Sequence, residues 1–319
     1  MVAERQAAGS AEAATSDVLK HLADSLEVQW RRYRKRLKRC QQRFSEEAVH
    51  DSRVETRRLL ATVELLRAFI PDEDLKKARR ALKEHLDTFD QLRDTQVQLA
   101  YVERMARSFP LARALHAWLA SREVRFTRET RRAVKHIKTK RLGRRIVAFE
   151  REIKLLQRRT SRSRAFETAL RAIDQAFDRV AQCCGQVTAE DTATIHRTRI
   201  AFKRFRYMVE ALSPLLPMVT EEHRRAMHGY QSMMGDIQDV EVLLATVGKF
   251  IASEQVDGRS ARKLLTELRR RRQWLIRVYL NAAGKLSRFW PLPGRDSPNA
   301  ARREKKRGRA EFCDRGESG

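Results

Sequence analysis

Between Gly9 and Gly143 the chain contains no glycine, and its body holds only four prolines, Pro71, Pro110, Pro214 and Pro217. Glycine and proline interrupt helices more strongly than any other residues, so their scarcity permits long ones. No stretch sustains the alternation of apolar and polar residues that a half-buried strand requires. The expectation is an all-α body over about residues 16–285. Apolar spacing predicts helices over Ser16–Phe44, Glu46–Ile70, Asp72–Gln91 and Thr95–Ser108, then a long segment from Pro110 toward Lys140. It continues with Arg144–Thr160, Phe166–Gln182, Asp191–Leu212, Glu221–Met234, Asp239–Ser253 and Arg259–Leu286.

The flanks differ from the body. Residues 1–15 lack the apolar core of a secretory signal and read as a disordered leader. From Trp290 the sequence "PLPGRDSPNAARREKKRGRAEFCDRGESG" brings three prolines and a basic cluster, so residues 286–319 read as a disordered basic tail.

Charge narrows the partner classes. Lys and Arg total 68 against 41 Asp and Glu, a formal net charge of +27. A field that positive attracts polyanions and speeds their arrival. Nucleic acid, anionic membrane and inorganic polyphosphate qualify. No run approaches the roughly 18 apolar residues of a membrane span. Cys40, Cys183, Cys184 and Cys313 show no metal-ligand spacing, and the reading is reduced thiols in a cytosolic protein. His21, His85, His116 and His136 stand isolated, and His223 and His228 do not share a helix face, so no metal site is expected. No Gly-rich phosphate loop, nucleophile triad or poised acidic pair is evident, and no catalytic residue or cofactor is assigned.

The chain repeats itself. "VHDSRVETRRLLATVELL" begins at Val49 and "IHRTRIAFKRFRYMVEAL" at Ile195. His50, Arg53, Arg57, Arg58 and Glu64 match His196, Arg199, Lys203, Arg204 and Glu210, each pair 146 positions apart. Downstream, "LRDTQVQL" from Leu92 echoes "IQDVEVLL" from Ile237. A duplicated helical unit is expected, with a first half over about residues 16–140, a second over about 165–285, and a pseudo-two-fold between them. At about 100° per residue, with His196 at zero, Arg199, Lys203, Arg206 and Tyr207 share one stripe roughly 100° wide. Phe202, Phe205, Met208, Val209 and Leu212 take the opposite side, as Leu59, Val63, Leu66 and Ile70 do in the first copy. The apolar side is core. The basic side is too costly to bury unpaired and must face water, acids of the same chain, or an anionic ligand. A solvated face with salt bridges through Glu64 and Glu210 is the plain alternative, but one acid against three or four cations leaves positive charge over. Arginine offers phosphate a planar fork and lysine a point charge. If His50 and His196 gain charge on binding, affinity rises as pH falls from about 8 to 6.

These segments resemble the signature helices of the CHAD family, named for conserved histidines in an α-helical domain. "FDQLRDTQVQL" and "MMGDIQDVEVLL" are similar to its Leu-Gly-x-x-x-Asp turns. The resemblance covers about residues 16–285. It implies two four-helix bundles around a basic central groove or pore. It also implies non-catalytic binding of inorganic polyphosphate in the cytoplasm, often at polyphosphate granules. Carried over by position, His50, Arg53, Arg57 and Arg58 are the first-half binders. His196, Arg199, Lys203, Arg204, Arg206 and Tyr207 are those of the second half. The chain departs from the pattern at Leu60, opposite Arg206, and at Asp90, opposite Gly235. The first half is therefore expected to hold the polyanion less tightly.

Three other features bear on function. Residues 125–164 hold 16 Lys or Arg and three Glu, either a solvated surface or an extension of a phosphate-binding one. "EREIK", Glu150 to Lys154, matches the Glu-x-Glu-x-Lys signature of the CYTH triphosphate tunnel enzymes. Its surroundings are helical, which sets Glu150 and Glu152 about 200° apart where that chemistry needs one strand face. The rival function is nucleic-acid binding, whose phosphate contacts would look the same. Tyr207 is the only aromatic on the stripe, too little for the stacking platforms that single-strand binders use, and the base-edge readers Asn and Gln are missing from it. An enzyme of polyphosphate or nucleotide metabolism ranks third.

Overall fold

The computed structural model describes residues 17–70 and 73–291. The expected leader over 1–15 and residues 292–319 of the expected tail lie outside the described residues. Everything described is helix or connection, as the Gly and Pro spacing anticipates. The helices are α1 (Val18–Gln42), α2 (Glu46–Leu66), α3 (Glu73–Asp87), α4 (Asp90–Met105) and α5 (Pro110–His136). After them come α6 (Lys140–Arg159), α7 (Arg162–Cys184), α8 (Thr192–Leu212), α9 (Glu221–Glu254) and α10 (Gly258–Ala283). Short 3-10 turns follow α8 and α10.

Local chemistry sets the boundaries. Ser45 accepts a hydrogen bond from the Ala48 amide at 3.2 Å, and Glu46 and Glu47 complement the dipole of the first turn of α2. Asp191 accepts from Ala193 N at 2.9 Å at the start of α8. Pro110 occupies the first turn of α5, where its missing N–H costs nothing. Gln255, at φ 47°, ends α9 in the left-handed region.

Two expectations are corrected. The predicted break between Met234 and Asp239 does not occur: α9 runs through it for 34 residues. A lone interior glycine costs a helix only about 1 kcal/mol, and no proline follows Gly235 to enforce a stop. The predicted tail also begins too early. Leu286, Phe289 and Trp290 are buried, and the Trp290 indole donates to the Asp174 carboxylate at 2.7 Å. Glu150 and Glu152 lie on α6, in keeping with the helical reading of that stretch.

The apolar interior divides differently from the sequence. One large cluster joins Leu59 and Val63 of α2 to Phe202, Phe205 and Val209 of α8. A smaller one joins Val102, Leu115 and Leu119 of α4 and α5 to Val247, Phe250 and Leu264 of α9 and α10. Both clusters draw on both halves of the chain. The consequence for function is that α2 packs directly against α8, and α4 against α9.

Candidate functional site

The apolar faces of α2 and α8 bury as the helical wheel requires: Leu59, Val63, Phe202, Phe205 and Val209 are fully inaccessible. Their cationic faces are thereby fixed at the junction of the two helices. Lys203 of α8 lies within electrostatic reach of Arg57 and Arg53 of α2 and of Arg199 on its own helix. Burial, then repulsion by Arg57, Arg199 and Arg53, pushes the Lys203 ammonium down to about 8, against some relief from Asp90. Arg53 is likewise lowered to about 10 by burial and by Arg57. The cations repel one another, and Asp90 offsets part of that repulsion at both Arg53 and Lys203.

The starts of α4 and α9 complete the surroundings. Asp94 feels the negative charge of Asp90 and Asp239, and Asp239 is attracted by Arg199 and Arg93. Thus the aspartates of the two echoed segments meet. Burial raises the carboxyls of Asp90, Asp94, Asp236 and Asp239. Among the described residues no group of His, Cys, Asp or Glu is arranged to hold a metal.

The departure from the repeat at Asp90 acquires physical meaning. Arg53 donates to the Phe89 carbonyl at 3.5 Å and stands 4.0 Å from the Asp90 carboxylate. Asp90 thus competes with any ligand for Arg53. At the matching place in α9, Gly235 offers no carboxylate. A Cβ there would lie 3.7 Å from Arg199 Nε, so the Arg199 side chain passes close to the α9 backbone. Arg199 Nε and His196 Nδ1 are both buried without a hydrogen-bond partner. Such orphaned groups are costly, and a ligand oxygen would relieve the donor. His196 is hydrogen-bonded to Gln238, while burial and Arg199 hold its imidazole below the ordinary value.

Not every expected residue is free for a ligand. Arg58 turns to Glu55 at 2.7 Å. Arg204 reaches the buried Glu64 at 3.1 Å, which also pairs with Arg67 and Arg79. Arg206 is buried, donating to Gln231 at 2.9 Å and to Glu210 at 2.5 Å, and its guanidinium lies over the Tyr207 ring. Arg58, Arg204 and Arg206, expected among the polyphosphate binders, are thus engaged by acids of the same fold. His50, Arg53 and Arg57 instead face a cleft of about 330 Å³, together with Arg93. Arg93 and Gln238 escaped the sequence reading. They occupy equivalent places, one residue before Asp94 and Asp239, and that coincidence was the available signal.

An all-α chain with facing cationic helices is the class that fold and site define. Comparison with known families gives its relationship: residues 24–248 match the CHAD domain, and the chain belongs to that family. Two solved structures share the fold. The CHAD domain from the plant Ricinus communis superposes with a TM-score of 0.57 at 17% identity, covering 86% of this chain and 91% of that one. PptA from Streptomyces chartreusis gives 0.60 at 16% identity, covering 86% and 100%. No curated protein matches the chain. No helix among the described residues is long and apolar enough to cross a membrane.

Proposed function

We propose that this chain binds inorganic polyphosphate, without catalysis, along the basic junction between α2 and α8. On this reading the chain is a duplicated unit, and His50, Arg53, Arg57, His196, Arg199 and Lys203 make the phosphate contacts. Tyr207 supports the second half through Arg206. The protein resides in the cytoplasm and accompanies polyphosphate granules. The observation that carries the reading is the convergence of Arg53, Arg57, Arg199 and Lys203 at one place, with Lys203 brought down to about 8 by burial and then by its cationic neighbours. A polyanion relieves that repulsion. Membership of the CHAD family supports the same choice of ligand.

The test is the double variant Arg199→Glu with Lys203→Glu. A hydrogen bond to a charged group contributes about 1.5–3 kcal/mol, so losing two should lower polyphosphate affinity on the order of a hundredfold or more. Helical circular dichroism should not change, because neither residue belongs to the apolar core. Unchanged affinity in a folded variant would remove the stripe from the site. Nucleic acid is the competing polyanion. Tyr207, already covered by Arg206 at 4.6 Å, gives it little to stack on.

A further inference from the structure

The cleft beside α2 has a wall that inorganic polyphosphate does not use. Phe44 and Val49, half-buried over the buried Phe89 and Leu92, contribute apolar surface directly beside Arg53, Arg57 and Arg93. A bare phosphate chain gains nothing from such a surface, and it loses hydration against it. Glu46 also lines the cleft, where a carboxylate repels phosphate but accepts hydrogen bonds from hydroxyl or amino groups. Gln96, steadied by donating to Glu123 at 3.2 Å, adds an amide. At about 330 Å³ the cleft is large enough for an organic group and falls within the usual range of small-molecule sites.

We propose that this cleft receives the nucleoside part of a nucleoside polyphosphate, with the phosphates extending onto Arg53, Arg57 and Lys203. The proposal rests on the polyphosphate reading of the same cations and adds a class of organic ligand to it. The flat base lies against Phe44 and Val49, and its hydroxyl or amino groups reach Glu46 and Gln96. The first half of the site, where Asp90 draws off part of the charge of Arg53, is thus specialised for a ligand that brings apolar contact as well as phosphate.

The experiment compares ATP with inorganic tripolyphosphate by calorimetric titration at one salt concentration, without divalent cations. The two probes share three phosphates, and tripolyphosphate carries the greater charge. ATP is expected to bind at least tenfold more tightly. Equal binding, or tighter binding of tripolyphosphate, overturns the inference. Thr127→Trp, which fills the cleft from α5, should bring ATP down to the affinity of tripolyphosphate. A folded variant that keeps the preference also overturns it. The wild-type comparison decides the matter if that variant fails to fold. Long-chain polyphosphate titrated into the same wild-type sample reads the broader function separately. Tight polyphosphate binding without an ATP preference sinks only the cleft. An ATP preference without polyphosphate binding sinks the broader reading and supports the cleft.

Discussion

Lys203 lies among Arg53, Arg57 and Arg199, and burial, then these cations, brings its ammonium down to about 8, within the range of ordinary buffers. Bound phosphate would raise it again toward the usual lysine value of about 10.4. A base whose proton affinity is raised by a ligand favours binding fully below its free value and ceases to do so above its bound value. Polyphosphate affinity should therefore be highest below pH 8 and fall by up to about tenfold per unit as pH rises beyond it. Titrations at pH 7, 8 and 9 check this, with Lys203→Arg as the control that stays charged and flat. A flat wild-type profile, or the same fall in the arginine variant, would contradict the assignment. For His196, burial and then Arg199 shift the charging of the unliganded imidazole to more acid pH than an ordinary histidine. The stripe of cations was legible from spacing alone. Which cations were engaged was only partly so: Glu210, one turn along the same helix from Arg206, could be read in advance, but Glu64 reaches Arg204 from another helix and the Gln231 amide reaches Arg206 from α9.

At the scale of helices, close approach decides what a residue does. Gly143 lies in α6 against α1, where a Cβ would come within 2.9 Å of the Trp30 ring. Gly143→Ala gains at most about 1 kcal/mol of helix propensity. Overpacking against Trp30 costs about 1–3 kcal/mol. The net expectation is a loss of about 1 kcal/mol, read as a fall in Tm of roughly 2–4 °C. A rise in Tm would mean that the ring yields freely. The residue was visible in the sequence only as the first glycine after a long absence, and its partner 113 positions away was not. Gly235 teaches the opposite lesson. Read as a turn, it sits inside α9 and lets the Arg199 side chain pass close to the helix backbone, a role that emerges only once α8 and α9 are packed.

For the whole molecule, helical class and the doubled motif could be read in advance, since both depend on spacing along the chain. The sharing of both cores between the two halves could not, since periodicity gives each helix an apolar face without naming the helix it meets. That interleaving puts α2 beside α8 and brings the two motifs together. A net charge of +27 ensures attraction to any polyanion, so binding alone proves little. Discrimination is the property that follows from the geometry, since half-buried cations between packed helices favour a narrow phosphate chain over the backbone of a duplex or a long stacked strand. The most direct measurement is a competition titration at near-physiological salt. Labelled long-chain polyphosphate would be bound first, then challenged with single-stranded DNA, duplex DNA and RNA at equal phosphate concentration. Polyphosphate should hold its place by an order of magnitude or more. Equal displacement by nucleic acid would contradict the account and reduce the junction to a generic basic surface.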